Sequence, residues 1–279
     1  MRMAGRTLSP RPAGRGRRAL GSAVNWGKHP VNDPDGAGRR AVAAAREAWA
    51  RDGVIHLPHF LTQQGVAVAL EEEAAAVDAG LVFRSTEDHN VMLDESGRLS
   101  DLPLEQSSKW LVAGDQLSDA SLVRRLYHSE ELLGFVQAVL GRELFRSADP
   151  MNCVHLNRFG TGDGLGWHHD NSEFFFNILL QAPEKGGEFE YVKDSREDDQ
   201  RIRAGVAGVG VKPHRLSAGD VLMFAGRTAM HRVTPVVGST PRITCIMNFA
   251  SNPGGGILEE YTRLRFFGRP LEPASSRGG

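Results

Sequence analysis

From Asp149 to Ser251 the chain is a succession of short β-rich runs cut by glycine turns, and this texture narrows the available folds more than any other feature. The runs are Met151–Phe159, Trp167–Asp170, Phe174–Gln181, Glu188–Val192, Val206–Leu216, Val221–Phe224, His231–Val237 and Arg242–Ala250. Between them lie Gly160-Thr161-Gly162-Asp163-Gly164, Gly186-Gly187 and Ala218-Gly219-Asp220. Eight short strands separated by turn residues predict a double-sheet jelly roll.

The chain before this region has a helical period. Val42, Ala45, Trp49 and Ala50 fall on one face of a helix over about Arg39–Arg51, which Gly53 should end. Val54-Ile55-His56-Leu57 reads as a short strand stopped by Pro58. Thr62 is a suitable N-cap for a second helix running to Gly80. Helices near Ser118–Tyr127 and Ser129–Leu140 follow. The mixed, polar stretch from Phe83 to Gln116 reads as long loops over a mouth, and Leu258–Phe266 as one helical patch in the tail. The expected layout is therefore a mainly β protein with flanking helices. A basic, disordered segment spans 1–35, and a single domain spans 36–279. That domain divides into helical support (about 36–148), the jelly-roll core (about 149–251) and a tail (252–279).

Composition excludes several classes. With 41% apolar and 24% charged residues, the 279-residue chain can bury a core and is not disordered throughout. No apolar run approaches a membrane span. The net charge of −1 gives no global attraction to nucleic acid. Basic residues cluster instead in the first 31 positions (Arg2, Arg6, Arg11, Arg15, Arg17, Arg18 and Lys28). Two cysteines, Cys153 and Cys245, make no disulfide framework, which points to a reducing, cytoplasmic location.

The chemistry concentrates in Gly166-Trp167-His168-His169-Asp170. Residues two apart on a strand share a face, so His168 and Asp170 point together and His169 points away. An imidazole and a carboxylate are two thirds of a facial triad for non-haem Fe(II), and His231 is the best third member. A lone His-x-Asp is ordinarily structural, and His155, His169 and His214 read as ordinary histidines. The remainder of the set changes that weighing. Arg242, Thr244, Ile246 and Asn248 share one face of an otherwise apolar strand. A guanidinium buried there needs an anionic partner, either a ligand carboxylate gripped by its planar fork or a protein acid.

The pattern His168-x-Asp170, His231, Arg242-x-Thr244 resembles that of the Fe(II)- and 2-oxoglutarate-dependent oxygenases, over roughly Asp149 to Ser251. Gly53-Val54-Ile55 followed by a helix looks like the opening of the phytanoyl-hydroxylase-like branch. The strings Gly164-Leu165-Gly166-Trp167-His168-His169-Asp170-Asn171-Ser172-Glu173-Phe174 and Gly186-Gly187-Glu188-Phe189-Glu190-Tyr191 are similar to those of a bacterial group of free-amino-acid halogenases and hydroxylases. The resemblance implies Fe(II) held by His168, Asp170 and His231. It also implies 2-oxoglutarate anchored by Arg242 and Thr244, with O2 as second cosubstrate and succinate and CO2 as products. Halogenases of that group carry glycine where this chain has Asp170, so the resemblance implies hydroxylation of an unactivated C–H, with desaturation or ring closure left open.

Asn157 is a further candidate for 2-oxoglutarate. Asn171, Asn248, His155 and Trp167 are candidates for substrate contact, although Trp167 also suits packing. Ser107, Ser108, Lys109 and Asp115 are weaker candidates that also read as solvated loop. The expected partner is a small molecule, a free or carrier-linked amino acid; a homodimer is compatible with the sequence. Competing readings are the same chemistry on a nucleic acid or protein, for which the charge-mixed barrel offers no basic groove, and a non-enzymatic cupin, which leaves Arg242 without a purpose.

Overall fold

The computed structural model describes residues 20–31, 33, 36–92 and 97–271. The basic residues Arg2 to Arg18 lie outside them. Thirteen strands and six helices are named here in chain order: α1 (Arg39–Asp52), β1 (Val54–Leu57), α2 (Gln63–Asp78), β2 (Phe83–His89), β3 (Glu105–Val112), α3 (Leu122–Tyr127), α4 (Glu130–Leu140), β4 (Phe145–Arg146), β5 (Val154–Phe159), β6 (Leu165–His168), β7 (Phe175–Gln181), β8 (Phe189–Val192), α5 (Asp199–Val206), β9 (Lys212–His214), β10 (Val221–Phe224), β11 (Met230–Val233), β12 (Arg242–Met247), β13 (Phe249–Ala250) and α6 (Glu260–Phe267). The strands form a seven-stranded sheet, β1-β10-β7-β12-β5-β3-β2, facing a four-stranded sheet, β6-β11-β8-β9, with a β13-β4 pair beside them. This is the expected jelly roll with a helical N-terminal part.

The large sheet has two differently coloured faces because its strands alternate with period two. Outward-facing Ile243, Cys245 and Met247 of β12, Phe176, Ile178 and Leu180 of β7, and Val154 and Leu156 of β5 join one core with Val42, Ala69, Leu132, Phe135 and Val136 of the helices. Their neighbours in sequence turn inward toward the second sheet, so the polar residues of these strands collect in the barrel. The helices are delimited as their sequences require. Gly53 and Gly141 take φ of 65° and 67° at the ends of α1 and α4, and Thr62 and Ser129 accept from Gly65 N–H and Leu132 N–H at the starts of α2 and α4.

Three expectations are corrected. The stretch from Phe83 to Gln116 is not mainly loop: β2 and β3 pair from Phe83↔Leu111 to His89↔Glu105 and extend the large sheet. Its sequence is polar because one face meets solvent and the other lines the barrel. The run Val206–Leu216 yields only the strand β9, and the segment before it forms α5, capped by Asp198 accepting from Arg201 N–H. The ordered chain also starts before residue 36. Leu20, Ala23, Val24 and Val31 are buried, and Asn25 N–H donates to Phe60 O at 2.8 Å. Both cysteines are free and buried. No helix among the described residues is long and apolar enough to cross a membrane.

Two polar stitches tie helices to sheet. Arg158 Nη1 donates to both oxygens of buried Glu73 on α2, at 2.9 and 3.0 Å. Tyr127, fully buried at the end of α3, donates its hydroxyl to Asn248 O at 2.7 Å and accepts from Ser147 N–H at 2.8 Å. Tyr127→Phe keeps the ring but leaves that carbonyl and N–H with only the long 3.4 Å bond from Ser147 N–H to Asn248 O. Urea unfolding should show a loss of about 1–3 kcal/mol; an unchanged midpoint would mean that water replaces the hydroxyl.

Candidate active site

The site begins with strand register. β11 lies between β6 and β8, and in the β11–β6 pair His231 stands directly opposite His168. Side chains of directly opposed residues emerge on the same face, so both imidazoles enter the barrel together, with ring centroids 4.2 Å apart. The chain leaves β6 after His168, and Asp170 follows at the turn. Asp170 N–H donates to Gly226 O at 3.0 Å, which fixes the carboxylate between the two rings. Asp170 Oδ1 is 3.5 Å from His168 Nε2, and Oδ2 is 3.5 Å from His231 Nε2. One donor atom from each residue falls within 4.8 Å of the others, and among the described residues this is the one group of three or more His, Cys, Asp and Glu so placed.

The donors are chemically prepared for a divalent metal. His168 Nδ1 donates to Gly166 O at 2.8 Å, and His231 Nδ1 donates to Ala229 O at 3.0 Å. Each bond places the ring proton on Nδ1 and leaves the Nε2 lone pair facing Asp170, the orientation that metal-binding histidines need. Burial pushes the His231 imidazole down to about 4, so it is neutral at ordinary pH. Burial works to raise the Asp170 carboxyl, but His231 and His168 hold it below its usual value and ionised. Two imidazoles and one carboxylate on one side of a point fit a facial-triad Fe(II) site.

Behind this cluster lies a cavity of about 210 Å³. The inward residues of three adjacent strands line it: Arg242, Thr244 and Ile246 of β12, with Asn248 just past its end; His155, Asn157 and Phe159 of β5; and Phe175 and Asn177 of β7. Arg242 is 4% exposed, and its guanidinium carbon sits 5.4 Å from the Phe159 ring centroid. Among the described residues no carboxylate lies within ion-pairing distance of it, and burial alone pulls it down to about 10. The alternative of an Arg242 tied to a protein acid is thereby set aside. Thr244 is buried opposite Asn157 in the β12–β5 register. The Oδ1 atoms of Asn157 and Asn177 are buried without a partner. An unpaired guanidinium, a hydroxyl and unsatisfied amides in one enclosed space fit the far carboxylate and polar atoms of a keto-diacid such as 2-oxoglutarate.

The other candidates separate. His155, Asn171 and Asn248 line the cavity, and the Asn248 amide is already committed as a donor to Asn152 O at 2.7 Å. Trp167 lies outside the lining. It is 1% exposed, packs with Val91, Met92 and Met230, and has the Arg232 guanidinium 4.6 Å from its ring. His169 is buried against Ser195 Oγ at 3.1 Å, and His214 stacks edge-on to His56. Of the polar stretch before the barrel, Ser107 and Lys109 line the cavity. Ser108 instead donates to Asp163, and Asp115 pairs with Arg269. Sequence reasoning missed Asn177, Glu87, His89 and the α6 residues Thr262 and Phe266, all of which line the cavity. The β2 alternation of Glu87 with His89 was the available signal once β2 was recognised as a strand.

Gly226 generates a prediction. A Cβ at that position would overlap the Asp170 carboxylate. Gly226→Ala should therefore displace one ligand and weaken Fe(II) or Co(II) binding at least about tenfold in a calorimetric titration, a cost of about 1.4 kcal/mol, with the melting temperature shifted little. Unchanged affinity would show that the carboxylate can swing clear.

Comparison with known proteins places this geometry. A family model described as HalD, Halogenase D, matches residues 37–255. No curated protein sequence matches the chain at a significant level. Among solved structures, AviO1 from Streptomyces viridochromogenes Tue57 is similar with a TM-score of 0.55 and 21% identity, over 78% of this chain and 97% of that one. The non-heme alpha ketoglutarate dependent epimerase SnoN from nogalamycin biosynthesis has a TM-score of 0.55 and 17% identity, over 76% and 84%. HygX from Streptomyces hygroscopicus, solved with nickel and 2-oxoglutarate bound, has a TM-score of 0.51 and 16% identity, over 75% and 87%. These likenesses establish a shared fold.

Proposed function

The chain belongs to the Halogenase D family, and from that membership and its own site we propose that it is an Fe(II)- and 2-oxoglutarate-dependent oxygenase that hydroxylates an unactivated C–H of a small molecule, a free or carrier-linked amino acid. The observation that carries the proposal is the acid-free guanidinium of Arg242 in the same cavity as the His168–Asp170–His231 cluster. The iron, once bound with 2-oxoglutarate and O2, supplies the oxidising power for hydrogen abstraction and oxygen insertion.

The chain's own residues hold and orient. His168 and His231 would hold a divalent metal through their Nε2 atoms and Asp170 through its carboxylate, on the cavity side of the cluster. Arg242 and Thr244 grip the distal carboxylate, and the orphaned amides of Asn157 and Asn177 stand beside them. The charges close: a divalent metal and one guanidinium balance Asp170 and a dianionic cosubstrate. Phe175, Phe189, Val233 and Ile246 keep water from the reacting centre. Asp170 also supports hydroxylation over halogen transfer, because its carboxylate fills the ligand position that a halide would need. Small polar residues in a cavity of this volume support a metabolite over a nucleic acid or protein chain.

Succinate release on addition of Fe(II), 2-oxoglutarate and a panel of amino acids tests the reading; no substrate-stimulated succinate and no visible charge-transfer band under anaerobic loading would refute it. Arg242→Ala should raise the 2-oxoglutarate KM at least about tenfold while metal affinity holds, since it removes a charge-assisted fork worth about 1.5–3 kcal/mol. His231→Ala should abolish turnover and metal binding together with the fold retained by circular dichroism.

A further inference from the structure

We infer that Glu105 of β3 is a positioning residue for the metal ligand His168, acting on it through a single peptide group. The inference rests on the metal-site reading above and says on what terms each imidazole is held. His168 Nδ1 donates to Gly166 O, and that carbonyl belongs to the peptide joining Gly166 to Trp167. The N–H of the same peptide, on Trp167, donates to Glu105 Oε2 at 3.1 Å. Carboxylate, peptide and imidazole thus form one unbroken chain of hydrogen bonds.

The His231 side is built alike but ends on different chemistry. His231 Nδ1 donates to Ala229 O, and the N–H of that peptide, on Met230, donates to Ser195 Oγ at 2.8 Å. Each ring therefore leans on the carbonyl two residues before it, and each supporting peptide ends on a side chain. For His231 that side chain is a neutral hydroxyl; for His168 it is a carboxylate. Hydrogen bonds in series polarise one another, and an ionised acceptor strengthens the bond it takes. Glu105 draws on the Trp167 N–H, makes the Gly166 carbonyl a better acceptor, and leaves His168 Nε2 a stronger donor. This is the carboxylate–histidine–metal arrangement with a peptide inserted.

The approach of Glu105 is built into the fold. β6 is an outer strand of the small sheet, so backbone groups on its free edge need partners from elsewhere. β3 supplies them. Ser108 N–H donates to Gly164 O at 2.9 Å, Gly166 N–H donates to Ser107 Oγ at 3.1 Å, and Trp167 N–H goes to Glu105. Ser107 is itself fixed by His89 Nε2, 2.7 Å away. Gly166 makes room: a Cβ there would stand 2.6 Å from Glu105 Cβ and 2.9 Å from Oε2. Among the described residues no basic side chain pairs with Glu105, so its charge acts on the peptide.

The test compares Glu105→Gln and Glu105→Ala in the full-length protein. Glutamine keeps an acceptor oxygen for Trp167 N–H and removes the charge alone; alanine removes both. Calorimetric titration with Co(II), without cosubstrate, reads the affinity. The charge-transfer band after anaerobic addition of Fe(II) and 2-oxoglutarate reads the donor strength. Direct partners of metal-bound histidines are worth about 10–100-fold in affinity; through a peptide, from a half-buried carboxylate, Glu105→Gln should weaken Co(II) at least about threefold. It should also move the band to higher energy, since a poorer nitrogen donor leaves the iron less electron-rich, with the metal-free melting temperature unchanged. Glu105→Ala should weaken the metal further. A Glu105→Gln variant that matches the wild type in affinity and band would overturn the inference and leave Glu105 a plain acceptor for the strand edge. So would a loss of affinity with an unmoved band, which would mean a displaced ring. Failure of the oxygenase reading is distinct: there the wild type binds Co(II) but gives no band with 2-oxoglutarate, and the Co(II) ligand-field bands of the variants still decide the role of Glu105. A wild type that takes up no Co(II) would overturn both.

Discussion

The antiparallel pairing of β6 with β11 is the constraint on which the rest of this molecule turns. It sets His231 against His168, and a slip of one residue would send one imidazole to the opposite side of the sheet. The register is supported from outside: β11 is also paired residue by residue with β8, from Met230↔Val192 to Val233↔Phe189. Phe189 and Phe224 pack their rings within 5.6 and 5.1 Å of the His231 ring. Backbone hydrogen bonds thus decide where the donors stand, aromatic packing decides how the rings tilt, and carbonyl acceptors decide which nitrogen stays bare.

The cavity is the converse of an ordinary core. Its helix-side neighbour is largely apolar, whereas the barrel interior gathers the buried Arg242 guanidinium, the Asp170 carboxylate and the partnerless amide oxygens of Asn157 and Asn177. Isolated buried polar groups are destabilising, so a fold that keeps this many in one place is organised around molecules that complete them. Stability comes from the other face of the same strands, where the alternation of β5, β7 and β12 delivers the apolar residues that α1 to α4 cover.

How far the sequence revealed this depends on the kind of signal. The period-two alternation of Arg242, Thr244, Ile246 and Asn248 is explicit in the sequence, and all four face the cavity. The His-x-Asp spacing and a later histidine are equally local. Helix limits at Thr62 and Gly53 followed from caps. What stayed hidden was written in pairing between distant segments. β2 and β3 carry no hydrophobic alternation, because their two faces meet solvent and a polar cavity, and so they read as loop. Glu87 and the α6 residues come from opposite ends of the fold, and nothing in either local sequence announces their meeting. Trp167 alternates with His168 and so points to the packed side, a placement the strand period already implied.

The roof over the cavity comes from a part of the chain that the barrel does not need. α6 sits after the last strand and is held by side chains: Leu258 N–H and Arg263 donate to the fully buried Asp149 carboxylate, and Arg265 pairs with Glu87. It nevertheless contributes Thr262 and Phe266 to the cavity beside the His168–Asp170–His231 cluster. Cluster and roof are therefore separable in inheritance: substitutions in the eight residues of α6 can retailor what the chamber admits while the β6–β11 register that sets the two imidazoles side by side stays as it was.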